Sequence, residues 1–346
     1  MENEIKTRGP LLDPQGKLAQ VGWSPQPLLD CNLEKASFYP RWKKPLQRYR
    51  VKRWDYYAVF TPQRLFSATI ADLGYAGNIF VYTLNFETGE LHEEGLVIPL
   101  GRGIRLPRNS DQGETSFRGQ GVHLRFEALP DRRTVSVDWP AFHAGRGIQA
   151  DLSLAYLPGH ESMTIVIPIG KKRFYYNRKI NCLKVQGSLH YGNVHEDLLP
   201  DRSLGSLDWG RGVWDYQSFW NWASASGFLE DGRSVGLNLG CGFGDTSAAS
   251  ENCLILEGRV HKLGAVTFDY QPGDYMRPWK FSDDQGQLDL TFIPFRDRLA
   301  QTDLKVITSQ VHQMFGRYSG CATTGSGEQV QIRNLIGFAE EHQARW

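Results

Sequence analysis

The sequence predicts a mostly β protein: two antiparallel β-barrels in tandem, preceded by an extended N-terminal arm. Three observations carry that prediction. Thirty-six glycines and seventeen prolines punctuate the 346 residues, and no long helical periodicity develops between them. Short runs rich in Val, Ile, Tyr, Phe and Thr lie between turn signals, the pattern of an all-β chain. The phrase Trp54-Asp-Tyr56 recurs as Trp214-Asp-Tyr216, each copy followed by a Gly-containing bend and a hairpin, which points to a duplicated meander. The length suits two domains of moderate size, and two barrels would remove edge strands.

Taken in order, residues 1–50 form the arm. Pro10, Pro14, Pro25, Pro27, Pro40 and Pro45 leave little room there for a regular helix or a central strand. At its end, Arg41, Lys43, Lys44, Arg48, Arg50, Lys52 and Arg53 make the one local excess of positive charge, interleaved with aromatics. A phosphate-binding patch and a solvated lead-in segment both fit, and such charge runs are usually solvated faces. Residues 51–186 are assigned to the first barrel, with its clearest strands at 56–60, 78–86, 135–139 and 162–168. The junction is placed near 184–198, where Gly187, His190, Gly192 and His195 interrupt the strand pattern. Residues 187–346 form the second barrel, which includes a strand at 288–293. The pairs Thr88-Gly89, Asp231-Gly232, Glu257-Gly258 and Gln285-Gly286 suit tight reversals. The hairpins at 80–92 and 253–262 are the ones that follow the repeated phrase. A doubly wound α/β fold needs helices between strands, and none is visible.

Composition excludes several functions. Lys plus Arg (39) nearly balance Asp plus Glu (38), so no global field exists to hold nucleic acid or acidic lipid headgroups, and no nucleic-acid partner is expected. The five cysteines (Cys31, Cys182, Cys241, Cys253, Cys321) are odd in number, widely spaced and without a Cys-x-x-Cys pair. That excludes a zinc ribbon of the usual spacing and argues against a disulfide framework. No apolar leader core opens the chain and no stretch approaches about 18 apolar residues, so a cytoplasmic protein without an integral membrane segment is expected. His190 and His195-Glu196 do not converge in a strand or loop as they would on a helix, and no metal is expected. The glycines Gly240, Gly242 and Gly244 lack the following helix of a nucleotide loop, so no cofactor is expected either.

Function concentrates in residues 207–227, where Trp209, Trp214, Trp220 and Trp222 fall close together. At period two, Trp214, Tyr216, Ser218, Trp220, Trp222, Ser224 and Ser226 share one face, while Asp215, Gln217, Phe219 and Asn221 share the other. Such a stripe suits the wall of a ligand cavity or the filling of a solid core. Just before it, Arg211 is placed either to hold an anionic headgroup or to pair with Asp208. Set among rings, Asp208 would keep its proton at neutral pH. It could then protonate an alkene, with Trp214, Trp220 and Trp222 facing the resulting cation. The segment 240–252 is read as a barrel rim displaying Asp245, Glu251 and Asn252. With Asp208 these offer the paired carboxylates of a sugar site. His261 ends a hairpin strand as a rim residue or proton shuttle. The candidate catalytic residues are therefore Asp208, Glu251 and Asp245. The candidate ligand contacts are Trp209, Arg211, Trp214, Tyr216, Trp220, Asn221, Trp222, Asn252 and His261. Trp54, Asp55 and Tyr56 echo this set without an Arg211 or a tryptophan pair, so the first barrel is expected to wall one shared cavity rather than carry its own site.

The phrases Arg53-Trp-Asp-Tyr-Tyr57, Lys179-Ile-Asn-Cys182, Asp208-Trp-Gly-Arg-Gly212 with Phe219-Trp-Asn-Trp222, Asn252 followed by His261-Lys262, and Phe315-Gly-Arg-Tyr-Ser-Gly320 resemble a widespread family known only as a domain of unknown function. The resemblance runs over nearly the whole chain, and the tryptophan-rich phrase is its most specific part. That family is similar, at a distance, to lipocalin-like (calycin) double-barrel proteins, among them carotenoid 1,2-hydratases, AttH-like proteins, tocopherol-cyclase-like enzymes and fungal cyclases of the Diels–Alder type. The resemblance implies two lipocalin-like barrels and an apolar ligand such as a lipid or isoprenoid, and it transfers no catalytic residue. The expected function is binding of a hydrophobic small molecule, with acid-assisted hydration, cyclisation or isomerisation as the accompanying chemistry. A carbohydrate-active protein and a non-catalytic lipid carrier are the alternatives, and the oligomeric state is left open.

Overall fold

The computed structural model describes residues 2–303, 305 and 307–345; Met1 and Trp346, the outer ends of the expected arm and second barrel, lie outside them. The strand signals resolve into two curled antiparallel sheets in tandem. The first begins with a meander of Val51–Phe60, Arg64–Asp72, Ala76–Asn85 and Leu91–Pro99. Leu204–Val213 returns to pair with Val51–Phe60, and beyond it follow Phe174–Tyr191, Ile148–Ala155, Arg132–Trp139, Val122–Ala128 and Gly113–Gly119. The second sheet repeats the plan. Its meander runs through Gln217–Phe228, Ser234–Cys241, Cys253–Leu256 and Arg259–Lys262. Gln329–Arg345 returns to pair with Gln217–Phe228, followed by Thr308–Thr323, Leu288–Asp303, Trp279–Asp283 and Val266–Asp269. Among the described residues the terminal strands of each sheet do not pair with one another, so each sheet is a curled half-barrel. The two hairpins singled out in the sequence occupy equivalent places, the third and fourth strands of each meander. The repeated phrase does not: Trp54 lies in a first strand, whereas Trp214 lies in the link between sheets.

The sheets change over between Val213 and Gln217, downstream of the expected division at 186–187. Phe174–Tyr191 is one strand of 18 residues running through that point. Gly187 interrupts the pattern because a Cβ there would stand 2.0 Å from the Asp151 carbonyl oxygen, so this glycine marks a close approach of two strands and not a boundary. Leu204–Val213 must stay with the first sheet because it pairs with both Val51–Phe60 and Phe174–Tyr191.

Burial explains which strands read as alternating. Arg132–Trp139 buries every second residue against the first core. Leu204–Val213 is buried at all ten positions, because one face meets the first core and the other meets the second sheet. Its polar residues therefore face protein on either side. A bulge at Cys182, where φ is +61°, turns Asn181 across the seam. Asn181 Nδ2 donates to Ser224 Oγ at 3.0 Å and to the Ala225 carbonyl at 3.1 Å, and the Cys182 N–H donates to Ser226 Oγ at 3.1 Å. These hydrogen bonds help hold the two sheets together.

The arm contains short strands and two 3-10 segments, Leu33–Lys35 and Arg41–Arg50. Its Ile5, Leu11, Leu12 and Leu29 enter the first core. All five cysteines are free, and burial pushes the Cys31 and Cys253 thiols up to about 12, which makes them inert packing groups. No helix among the described residues is long and apolar enough to cross a membrane.

Candidate functional site

The seam between the sheets holds a cavity of about 600 Å³. Period-two spacing supplies its walls in pairs: Trp54 and Tyr56, Tyr175 and Lys179, Trp220 and Trp222, Glu340 and His342. Asp208 comes from the strand central to the first sheet, Glu251 and Phe243 from the loop after Ser234–Cys241, and residues 298–302 from the long hairpin of the second sheet. The glycines of the tryptophan-rich phrase make room for one of these rings. A Cβ at Gly210 would fall 1.9 Å from the Trp54 indole, so only glycine lets that indole lie on the strand.

One side of the cavity is aromatic. Trp214 meets Trp54 at 5.1 Å, Trp220 at 5.6 Å and Phe243 at 5.1 Å between ring centroids, all edge-on. The other side is charged and largely buried. Lys179 Nζ, on a side chain only 4% exposed, lies 3.1 Å from Asp208 Oδ1 and 3.8 Å from Glu251 Oε2, and 3.7 Å from the centre of the Trp222 ring. Asn177 Nδ2 also donates to Asp208 Oδ1 at 2.6 Å. Arg298 grips Glu93 through two bonds of 2.6 and 2.8 Å and donates to Gln313 at 3.2 Å.

Glu340 sits between these sides. Trp220 Nε1 donates to its Oε1 at 3.1 Å and Gln313 Nε2 to its Oε2 at 3.2 Å. Burial nevertheless pushes its carboxyl up to about 7, against the opposing pull of the Trp220 hydrogen bond, Lys179 and Arg298. Next to it, burial lowers His342 to about 3, so the imidazole is neutral; its Nε2 lies 2.9 Å from Ser309 Oγ and its ring 3.9 Å from Trp220. A carboxylic acid that titrates near neutrality and faces ring surfaces can both give and take a proton. Among the described residues no group of three His, Cys, Asp or Glu is placed to hold a metal ion.

The structure brings together Asp208, Glu251, Trp214, Trp220 and Trp222 from the sequence-predicted set. It does not bring the others. Trp209 and Arg211 lie one and three positions from Asp208, odd offsets that turn both to the opposite face of the strand. There Arg211, 0% exposed, pairs with Asp55 at 3.0 Å and stacks 4.2 Å from Trp209. The expected Asp208–Arg211 pair is therefore replaced by Asp208–Lys179 and Asp55–Arg211. Asn221, adjacent to Trp220, also points away and donates to Tyr270 Oη and the Glu340 carbonyl, each at 3.1 Å. Tyr216 is exposed on the link between sheets. Asn252 is buried as a loop brace, accepting from the Gly240 N–H at 2.7 Å. Asp245 is exposed and caps Ser247, and His261 is half-buried on Arg259–Lys262, outside the cavity lining.

Removing the Arg211 charge should separate structure from chemistry. Arg211→Met strands Asp55 and should lower the unfolding free energy by about 3 kcal/mol, and adding Asp55→Leu should recover most of it. Urea unfolding reads both; a loss under about 1 kcal/mol for the single variant would mean the pair behaves as an exposed one.

Sequence reasoning missed Lys179, Glu340, His342, Arg298 and Gln313. A signal existed for two of them: Glu340 and His342 are polar residues two apart in a terminal run that otherwise reads as strand.

One family matches over residues 2–346, described as a domain of unknown function, DUF2804. No curated protein matches the chain. Among solved structures, kievitone hydratase from Nectria haematococca is similar at 13% identity and a TM-score of 0.46, over 85% of this chain and 88% of that one. An AttH-like protein from Nitrosomonas europaea is similar at 14% identity and a TM-score of 0.41, over 85% of this chain and 93% of that one.

Proposed function

We propose that this chain, which belongs to the DUF2804 family of unknown function, binds a hydrophobic small molecule between its two half-barrels and transfers a proton to it from Glu340. The observation that carries the reading is a buried acid, held near pH 7, in an aromatic cavity of about 600 Å³. That volume suits a drug-sized molecule. The proton is assigned to Glu340 rather than to Asp208, whose Oδ1 already faces the Lys179 ammonium and the Asn177 amide.

The step balances simply. The Glu340 O–H bond breaks, a C–H bond forms on an alkene carbon, and a carbocation and a carboxylate result. The Trp54, Trp214 and Trp220 rings stabilise the cation without attacking it. Water, an internal nucleophile or loss of a neighbouring proton then quenches it, giving hydration, cyclisation or isomerisation, and the proton released returns to Glu340. A sugar site fits less well, because Asp208 and Glu251 share one ammonium between them, where a glycosidase needs room for substrate and water.

Native mass spectrometry of freshly purified protein, followed by extraction of what it carries, tests the reading. A bound isoprenoid or other apolar alkene is the expected result. A bound saccharide, or an apolar ligand with no double bond to protonate, would overturn the chemistry.

A further inference from the structure

We infer that the Arg41–Arg50 segment docks the protein onto an anionic lipid surface, at the end of the cavity that its own backbone braces. Between Glu34 and Asp55 the chain has no Asp or Glu and eight Lys or Arg: Lys35, Arg41, Lys43, Lys44, Arg48, Arg50, Lys52 and Arg53. The whole chain has a formal net charge of only +1, so the rest of the molecule is formally net acidic. Within the run Lys52 is buried and Arg53 pairs with Asp72, which leaves Lys35, Arg41, Lys43, Lys44 and Arg48 as the exposed cations.

Charge alone would describe a solvated face. The apolar residues do not fit that description. Trp42 is 76% exposed and Leu46 52% exposed, with Pro45 exposed between them. The fold holds them outward. Gln47 is the segment's buried anchor, its Nε2 donating to the Ala36 carbonyl at 2.8 Å and its Oε1 accepting from the Phe38 and Tyr39 N–H groups. With Gln47 turned in, Trp42, Leu46, Arg41, Lys43, Lys44 and Arg48 are left in solvent. An indole and a leucine among cations is the equipment of an interfacial segment: the apolar groups enter the headgroup boundary and the cations meet anionic lipids. A nucleic-acid surface would use the cations and leave Leu46 without a role.

Position adds the second observation. Gly74 packs against the segment so closely that a Cβ there would stand 2.6 Å from the Arg48 carbonyl oxygen, and its neighbour Leu73 lines the cavity. Arg50 Nη2 donates to the carbonyl of Trp214, another cavity residue, at 3.3 Å. Docking here sets one end of the cavity beside the bilayer. That the cavity draws its ligand from the bilayer rests on the function proposed above; the docking itself does not.

Sedimentation with phosphatidylcholine vesicles, alone and with about one-third phosphatidylglycerol, tests the docking on the intact chain. Binding is expected only to the anionic vesicles and should weaken at least about tenfold in about 0.5 M salt. Lys43→Glu with Lys44→Glu should weaken it at least about tenfold, given a contribution of about fivefold per cation. Trp42→Ser with Leu46→Ser should also weaken it, and these exposed positions spare the fold. Anionic vesicles left unbound would overturn the inference. So would binding that the Trp42/Leu46 variant leaves intact, or stronger binding to single-stranded RNA. Vesicle binding needs no cavity ligand, so its failure would leave the Glu340 reading standing, and an empty cavity would leave the docking standing.

Discussion

Glu340→Gln is expected to slow turnover of the cavity ligand by about 10²- to 10⁴-fold, the usual contribution of a positioned acid, while leaving affinity nearly unchanged. Glutamine keeps the shape, and its one carbonyl oxygen can still accept from Trp220. Its NH2 then meets the Gln313 Nε2 donor in place of the second oxygen, and it has no acidic proton to give. The same variant has a readout that needs no ligand. The folded-state value of about 7 lies above the ordinary 4.5, so the folded chain holds a proton that the unfolded chain releases between those values. The stabilisation is complete below about pH 4.5 and is lost as pH rises to about 7, amounting to about 3 kcal/mol. His342 runs the other way. Its value of about 3 lies below the ordinary 6.5, so its contribution is present at neutral pH and is lost as pH falls from about 6.5 toward 3. Between about pH 4.5 and 6.5 the two slopes oppose. Glu340→Gln should therefore gain stability relative to the native chain as pH rises from about 4.5 to 7, and His342→Phe should gain as pH falls below about 6.5. Urea unfolding across that range reads both differences. A flat difference curve for Glu340→Gln would mean that residue 340 titrates as an ordinary surface carboxylate, and the acid would have to be sought elsewhere.

The reason this acid escaped the sequence lies in register. Trp220 pairs with His342 and Trp222 with Glu340 across an antiparallel ladder, so the acid arrives from the last strand, far along the chain from the tryptophans it serves. Local patterning shows that Trp220 and Trp222 share a face, but it contains no information about which strand lies beside them. Asp208 and Lys179 repeat the lesson: they are paired residues on neighbouring strands, and only the ladder brings them together. What period two did contain was the fate of Arg211. Three positions from Asp208 on one strand is an opposite-face relationship, and the structure puts Arg211 against Asp55. The hairpins and the β character were legible because turn chemistry and β-branched runs are local. The division between the sheets was not, because Gly187 looks the same in sequence whether it ends a strand or lets two strands touch.

Lys179→Met should be the most destabilising single change in the cavity. Its ammonium is the shared partner of Asp208 and Glu251 and lies over the Trp222 ring. Removing it leaves a buried Asp208 and a half-buried Glu251 with their shared cation gone, a loss of about 3 kcal/mol by the measure of other broken buried pairs. Methionine keeps most of the volume, so the loss would report charge rather than packing. Adding Asp208→Asn should return most of the stability, since one neutral amide in place of one carboxylate removes the repulsion. A loss below about 1 kcal/mol would mean that water reaches the group freely. The variant also bears on the acid. Lys179 is one of the charges that hold Glu340 down against burial, so without it the Glu340 carboxyl should keep its proton to higher pH. The alkaline limb of turnover should then move upward while the fold weakens, a combination that a purely structural lysine would not produce. The cation is in this sense part of the acid's setting: burial raises Glu340, the Trp220 hydrogen bond, Lys179 and Arg298 oppose that rise, and the balance near neutrality lets the carboxyl both release and recover a proton.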